Sequence, residues 1–187
     1  NMGETAELLA KEGGLTREMQ DAFALRSHQR AQASREKLAE EIVPVPLPPK
    51  FDKVAVLDNG VREGQTMEAL AKLKPFFDRT YGSVTAGNSS QITDGAAAMV
   101  VASEEFVAKR NLPVLGRIAG WGVAGLEPER MGLGPSRSTP LALKHAGIAW
   151  KDVGLMEMNE AFAAQVLANL QAFEKDPALG PVDPETL

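Results

Sequence analysis

Gly95-Ala-Ala-Ala-Met-Val-Val-Ala-Ser103-Glu-Glu-Phe-Val-Ala-Lys-Arg110 places an apolar run directly before a helix signal. The uncharged residues 96–102, bounded by Gly95 and Ser103, have the composition of a strand buried on both faces of a sheet. Ser103 is an N-cap residue followed by two glutamates, and Lys109 and Arg110 put positive charge in the last turn, so a helix is predicted to about Arg110. The alternation continues downstream. Residues 114–123 read as a strand interrupted by glycines, and Thr139-Pro140 sets a cap residue before a proline at the first helical position, with Gly147 closing that helix. Residues 152–158 read as a strand, and a helix is predicted from Asn159 to about Phe173. This β-α-β-α order predicts a layered α/β fold.

The residues before about Pro75 have a different character. Thr5 caps a predicted short helix to about Lys11, Gly13-Gly14 ends it, and Thr16 opens a long helix over 17–41 that contains no Gly or Pro. Met19, Phe23, Leu38 and Ile42 make its face only partly apolar, which predicts a surface helix. Pro44, Pro46, Pro48 and Pro49 forbid helix and lead into a predicted strand over 51–57, followed by the turn Asp58-Asn-Gly60. Thr66 caps a helix through Leu73, and Pro75 stops it. This part is an appended, mostly helical excursion, and no internal repeat is evident.

The chain of 187 residues is 44% hydrophobic and 24% charged, enough apolar content for a packed core. Its longest uncharged apolar run, 96–102, falls far short of the roughly 20 residues of a membrane helix. No membrane span and a cytoplasmic location are therefore expected. A net charge of -5 lacks the basic stripe that nucleic-acid binding needs, although one anionic ligand can still find local Arg or Lys. There is no cysteine, so disulfides, thiolate metal sites and cysteine nucleophiles are excluded within these residues. The opening at Asn1 and the close at Asp183-Pro-Glu-Thr-Leu187 read as an internal portion of a longer chain.

Three places carry candidate chemistry. The loop Val84-Thr-Ala-Gly-Asn-Ser-Ser-Gln-Ile-Thr-Asp-Gly95 can bring bare backbone and small hydroxyls against a ligand, or it can simply be a tight connection. Asn159, in Met158-Asn-Glu-Ala-Phe-Ala-Ala164, sits where a predicted strand gives way to a helix, the end of a sheet at which α/β proteins bind ligands. Its carboxamide can hold a water or donate to an oxygen; it can equally cap the helix. Arg62, in the glycine-flanked turn Asn59-Gly-Val-Arg-Glu-Gly64, can pair with a phosphate or stand solvated. His28 and His145 lie among basic neighbours with no nucleophile beside them and read as surface residues, while Met2, Met131 and Met158 read as core filling.

Taken in order, these pieces resemble the thiolase family over nearly the whole chain. Met2-Gly-Glu-Thr-Ala-Glu7 with Asp21-Ala-Phe-Ala-Leu-Arg-Ser-His28 is similar to the loop domain that covers coenzyme A. Ser83-Val-Thr-Ala-Gly-Asn-Ser-Ser90 with Thr93-Asp-Gly95 is similar to the pantetheine-contacting segment that ends the first half. Gly132-Leu-Gly-Pro135 and Asn159-Glu-Ala-Phe-Ala-Ala-Gln165 resemble the start of the second half, and Phe162-Ala-Ala-Gln-Val-Leu-Ala-Asn169 the degradative, fatty-acid-oxidation type.

The resemblance implies an acyltransferase that splits 3-ketoacyl-CoA with free CoA into acetyl-CoA and a shortened acyl-CoA, or runs the reverse condensation. It implies a thiolase-like layered α/β fold, incomplete here, with 1–76 as a mostly helical loop domain, 77–112 ending the N-terminal half and 113–187 starting the C-terminal half. Asn159 is implied to position a water in the oxyanion hole, and Met2, Arg62, Leu73, Ala86, Ser90, Met131 and Phe162 to line the CoA channel. Coenzyme A is the expected co-substrate, with no permanent cofactor and no metal. The expected partners are acyl-CoA thioesters and either a homo-oligomer or the remainder of the same thiolase. The family's acylated cysteine, its Gly-His-Pro histidine and its second cysteine are not in this sequence, so the chain alone is expected to be inactive. The alternative is a non-catalytic CoA- or lipid-binding scaffold of the same fold; a synthase-type condensing enzyme fits Asn159-Glu-Ala-Phe162 less well.

Overall fold

The computed structural model describes residues 1–183. In chain order it contains α1 (Met2–Gly13), α2 (Arg17–Ala33), α3 (Arg35–Ala39), β1 (Val45–Pro46), β2 (Val54–Ala55), α4 (Met67–Ala71), α5 (Glu104–Arg110), α6 (Gly134–Ala146) and α7 (Ala163–Lys175). Short 3-10 turns span Pro128–Leu133 and Trp150–Asp152.

Local chemistry sets the helix ends. α1 starts earlier than a cap at Thr5 would give, because Asn1 and Glu4 form a capping box in which Asn1 Oδ1 accepts from the Glu4 N–H at 3.0 Å and the Glu4 carboxylate reaches back to the Asn1 backbone nitrogen at 2.8 Å. Gly14 ends it in the left-handed region at φ 61°, where a Cβ would be strained. Thr16, Thr66 and Ser103 cap α2, α4 and α5 through their hydroxyls as expected. The long helix predicted over 17–41 breaks at Ser34, which leaves helical geometry at φ -94°, ψ 8°. The Thr139-Pro140 start is overturned. α6 begins at Gly134 with Pro135 in its first turn, and Pro140 lies inside the helix; there the Thr139 hydroxyl donates to Pro135 O at 2.7 Å.

α7 organises the core. One apolar cluster gathers Ala6, Leu9, Ala10, Leu15, Val84, Ala164 and Ala168 between α1 and one side of α7. A second gathers Phe23, Met158, Ala163, Val166 and Phe173 between α2 and the other side. Phe173 is fully buried with its ring tilted 5.6 Å from Trp150, and burying such a side chain contributes about 1.5–3 kcal/mol. α7 therefore turns Ala164 and Ala168 toward α1, while its larger Val166 and Phe173 join Ala163 on the side of α2.

The strand expectations fare differently. Among the described residues the hydrogen-bonded sheet is the antiparallel pair β1 and β2, with Val45 opposite Ala55 and Pro46 opposite Val54, a fraction of the strand predicted over 51–57. The runs 96–102, 114–123 and 152–158 are not strands. Residues 91–106 are all exposed, with Ile92, Met99 and Val100 at 104%, 85% and 91% of full accessibility. A strand exists only as a rung in a ladder, and the apolar composition that suits a buried sheet cannot form one without neighbouring strands to accept its N–H groups.

Candidate functional site

The loop 83–90 is fixed by polar groups from three directions. The Glu7 carboxylate of α1 accepts from Ser83 N at 2.9 Å and Val84 N at 3.0 Å. From α2, Gln20 Nε2 donates to Ser83 Oγ at 2.8 Å, and Asp21 Oδ1 accepts from Asn88 Nδ2 at 2.9 Å. Asn88 closes the loop on itself, its Oδ1 accepting from Thr85 N at 2.8 Å. On the third side Asn88 O accepts from Ala163 N at 3.0 Å and Ser90 N donates to Ala161 O at 2.9 Å, with Ser89 bridging Phe162. Gln20, Asp21, Thr85 and Asn88 are all nearly inaccessible to solvent.

Several of the predicted ligand residues, Leu73, Ala86, Ser90 and Phe162, lie in or against this frame. Gly87, beside Ala86, lies so close to Leu70 and Leu73 that a Cβ there would collide with both. Phe162 meets Phe77 edge to face at 6.2 Å, and Phe77 covers Gly3 beside Met2. Gly60, in the Arg62 turn, packs on Gln91 beside Ser90. Met131 rides the Pro128–Leu133 turn, held to α7 where Asn169 Nδ2 donates to Gly132 O at 2.7 Å. Met2, Arg62, Leu73, Ala86, Ser90, Met131 and Asn159 all present exposed surface, while Phe162 is half-buried. Met158 is core, as expected, but Met2 and Met131 are 48% and 44% exposed and do not fill it.

Asn159 and Glu160 precede α7 and do not cap it. The N-cap is Phe162, without a side-chain cap bond, so the carboxamide of Asn159 is left at the loop edge while Glu160 Oε2 accepts from Ser27 Oγ at 2.5 Å. The helix predicted from Asn159 thus begins four residues later. His28 is half-buried and not a simple surface residue; its Nδ1 accepts from Arg62 N at 3.3 Å. Burial, then the Arg62 charge, push its pKa down from the ordinary histidine range, while Glu160 pulls it up. His145 stays exposed, its Nδ1 2.7 Å from Trp121 O.

Sequence reading missed Glu7, Gln20, Asp21 and Asn88 as the frame. The Arg17/Asp21 pair, at a spacing that faces one side of a helix, was the available signal, realised at 2.7 Å. Among the described residues no His, Asp and Glu cluster could hold a metal ion, and no helix is long and apolar enough to cross a membrane.

Comparison with known proteins gives this arrangement its relatives. Residues 1–105 match the family described as thiolase, N-terminal domain, and residues 112–181 the thiolase, C-terminal domain. The 3-ketoacyl-CoA thiolase of Yersinia enterocolitica is 48% identical over 177 residues, covering 94% of this chain and 41% of that protein. The chain thus spans about two fifths of that relative's length. The crystal structure of human mitochondrial 3-ketoacyl-CoA thiolase in complex with CoA is 39% identical with a TM-score of 0.85, over 96% of this chain and 46% of that one. The dimeric peroxisomal thiolase of Saccharomyces cerevisiae gives 36% and 0.88 over 96% and 47%. The loop, junction and helices therefore take up the expected α/β thiolase architecture over the part of it that this chain spans, and the chain belongs to the thiolase family.

Proposed function

We propose that this chain supplies the CoA-binding face and the oxyanion-side asparagine of an acyltransferase that cleaves 3-ketoacyl-CoA with CoA, or runs the reverse condensation. The observation that carries it is Asn159, exposed and uncommitted to capping at the edge of a loop frame in a chain of the thiolase family. In the proposed cleavage a cysteine thiolate attacks the 3-keto carbon and the bond between C2 and C3 breaks. The electron pair leaves on C2 as the enolate of acetyl-CoA, which takes a proton, and free CoA thiol then displaces the cysteine from the acyl group. The thiolate and base come from outside these cysteine-free residues. Asn159 holds a water that donates to the oxygen on which charge develops, and Met2, Leu73, Ala86, Ser90, Met131 and Phe162 flank the pantetheine arm. CoA is the co-substrate here, as the human relative's complex with CoA suggests. The proposal also keeps the division into 1–76, 77–112 and 113–187, action in the cytoplasm and a homo-oligomer; the yeast relative is dimeric.

The test is thiolysis of acetoacetyl-CoA by a thiolase of full family length bearing this chain, against the same protein with its nucleophilic cysteine replaced. CoA-dependent cleavage lost in the control supports the reading; CoA binding without cleavage supports the scaffold instead. In the active protein Arg62→Ala is expected to raise the KM for CoA up to about fivefold with little change in kcat, the worth of one exposed charge contact. A phosphate contact far from the reacting carbon binds ground and transition states alike. The effect should shrink as salt screens it, and unchanged CoA saturation at low ionic strength would remove Arg62 from the phosphate site.

A further inference from the structure

Two neighbouring residues of α2 touch both parts of the proposed site. Ser27 Oγ donates to Glu160 Oε2 at 2.5 Å, next to Asn159, and His28 Nδ1 accepts from the backbone N–H of Arg62 at 3.3 Å. The turn that carries Arg62 is also tied by Gly60 packing on Gln91 and by the Glu63–Arg35 ion pair, and the His28 contact holds the backbone of Arg62 itself. Gly64 takes a left-handed φ of 66°, and Arg62 and Glu63 are exposed. An imidazole nitrogen accepts a hydrogen bond only while it lacks a proton, so the observed contact requires neutral His28 with its hydrogen on Nε2.

We propose that His28 is a positioning residue that holds the Arg62 turn in register for a CoA phosphate while its ring is neutral, and releases the turn when the ring takes a proton. This rests on the CoA reading above and assigns that site a regulation by pH. Protonation acts twice at this contact. It converts Nδ1 from acceptor to donor opposite another donor, and it sets a cation beside the Arg62 guanidinium. The charged groups that act on the ring are Arg62 from the turn and Glu160 from the junction before α7; Glu63 follows Arg62 in the turn, and Arg26 and Arg30 share α2 with His28. Glu160 alone among those acting on the ring by charge favours the imidazolium.

The direction of the pH effect follows. With its pKa held below the ordinary value of 6.5, His28 binds fewer protons in the folded protein than in the unfolded chain. The closed turn is therefore fully stable above that value and weakens as pH falls through the depressed pKa.

The experiment uses a thiolase of full family length bearing this chain, with CoA itself as the probe, from about pH 5 to pH 8. The phosphate groups of CoA titrate in the same window, so each profile is read against His28→Asn, whose Oδ1 takes the place of Nδ1 as acceptor and does not titrate. The native protein is expected to lose about threefold to tenfold more CoA affinity than His28→Asn between the ends of that range, the worth of one hydrogen bond. His28→Ala should bind CoA more weakly than either at high pH. Amide exchange at Arg62, corrected for its intrinsic pH dependence, is read on the same proteins. Protection should be lost at low pH in the native protein, kept in His28→Asn and absent in His28→Ala. Identical CoA profiles for the native and Asn proteins, or an Arg62 amide equally protected at both ends, overturn the proposal. Absence of CoA binding at every pH defeats the CoA reading instead, and amide exchange alone then decides the His28 contact.

Discussion

Asn159→Ala, in a thiolase of full family length bearing this chain, is expected to lower kcat by about 10²–10³-fold, or about 3–4 kcal/mol of transition-state stabilisation. The KM for CoA should move little. The carboxamide acts where negative charge develops on the substrate oxygen, whereas the pantetheine arm and phosphates are assigned to other residues. A capping role would have predicted a different loss, about 1 kcal/mol of stability with turnover intact. That alternative is weakened by α7 itself, whose N-cap is Phe162. Because Asn159 is exposed, its removal should change folding stability by no more than about 0.5 kcal/mol. Thermal unfolding and steady-state kinetics on one preparation separate the two effects. Asn159→Asp sharpens the test by putting a negative charge beside the developing oxyanion at nearly constant shape. A stable and nearly inactive Asp variant supports the role, and a fully active one sinks it.

Several helix starts were legible in the sequence because their signals are local. Caps at Thr16, Thr66 and Ser103 depend on residues three positions away, and all three hydroxyls accept as expected. The motif order along the chain likewise pointed to the family and to the exposed residues around 83–90. What was hidden is non-local. Nothing in Asp21 or Asn88 alone announces that they meet across 67 positions of sequence, or that Glu7 reaches Ser83 across 76. The strands at 96–102 and 114–123 failed for the complementary reason. Apolar composition reports a preference for burial, and burial in a sheet needs neighbours that composition cannot supply. The run at 152–158 is the intermediate case: its backbone is not a strand, yet Met156 and Met158 pack against Phe23 and Val166.

Asp21→Ala tests whether that hidden frame holds the site, and it is expected to destabilise the folded protein by about 3 kcal/mol. Asp21 is 1% exposed, with Oδ1 accepting from Asn88 Nδ2 and Oδ2 accepting from Arg17 Nε at 2.9 and 2.7 Å. Removing the carboxylate leaves two donors facing a gap, one of them cationic, and an unpaired buried donor is the larger part of the penalty. The loss sits at the low end for a broken buried ion pair, because Arg17 keeps Leu70 O at 2.6 Å and Leu73 O at 3.0 Å, and Asn88 keeps Ser83 O at 3.1 Å. Asp21→Asn should cost about half as much, since a carboxamide oxygen can satisfy one donor while its own NH₂ opposes the other. The denaturant midpoint at constant slope gives both values. A loss below about 1 kcal/mol for the alanine variant would mean that Glu7 alone, through Ser83 N and Val84 N, keeps the loop in place. A loss near the expected size accompanied by weaker CoA binding at unchanged kcat would tie the frame to the ligand face. Leu73 follows the α4 end that Arg17 grips, and Ala86 and Ser90 belong to the loop that Asn88 closes.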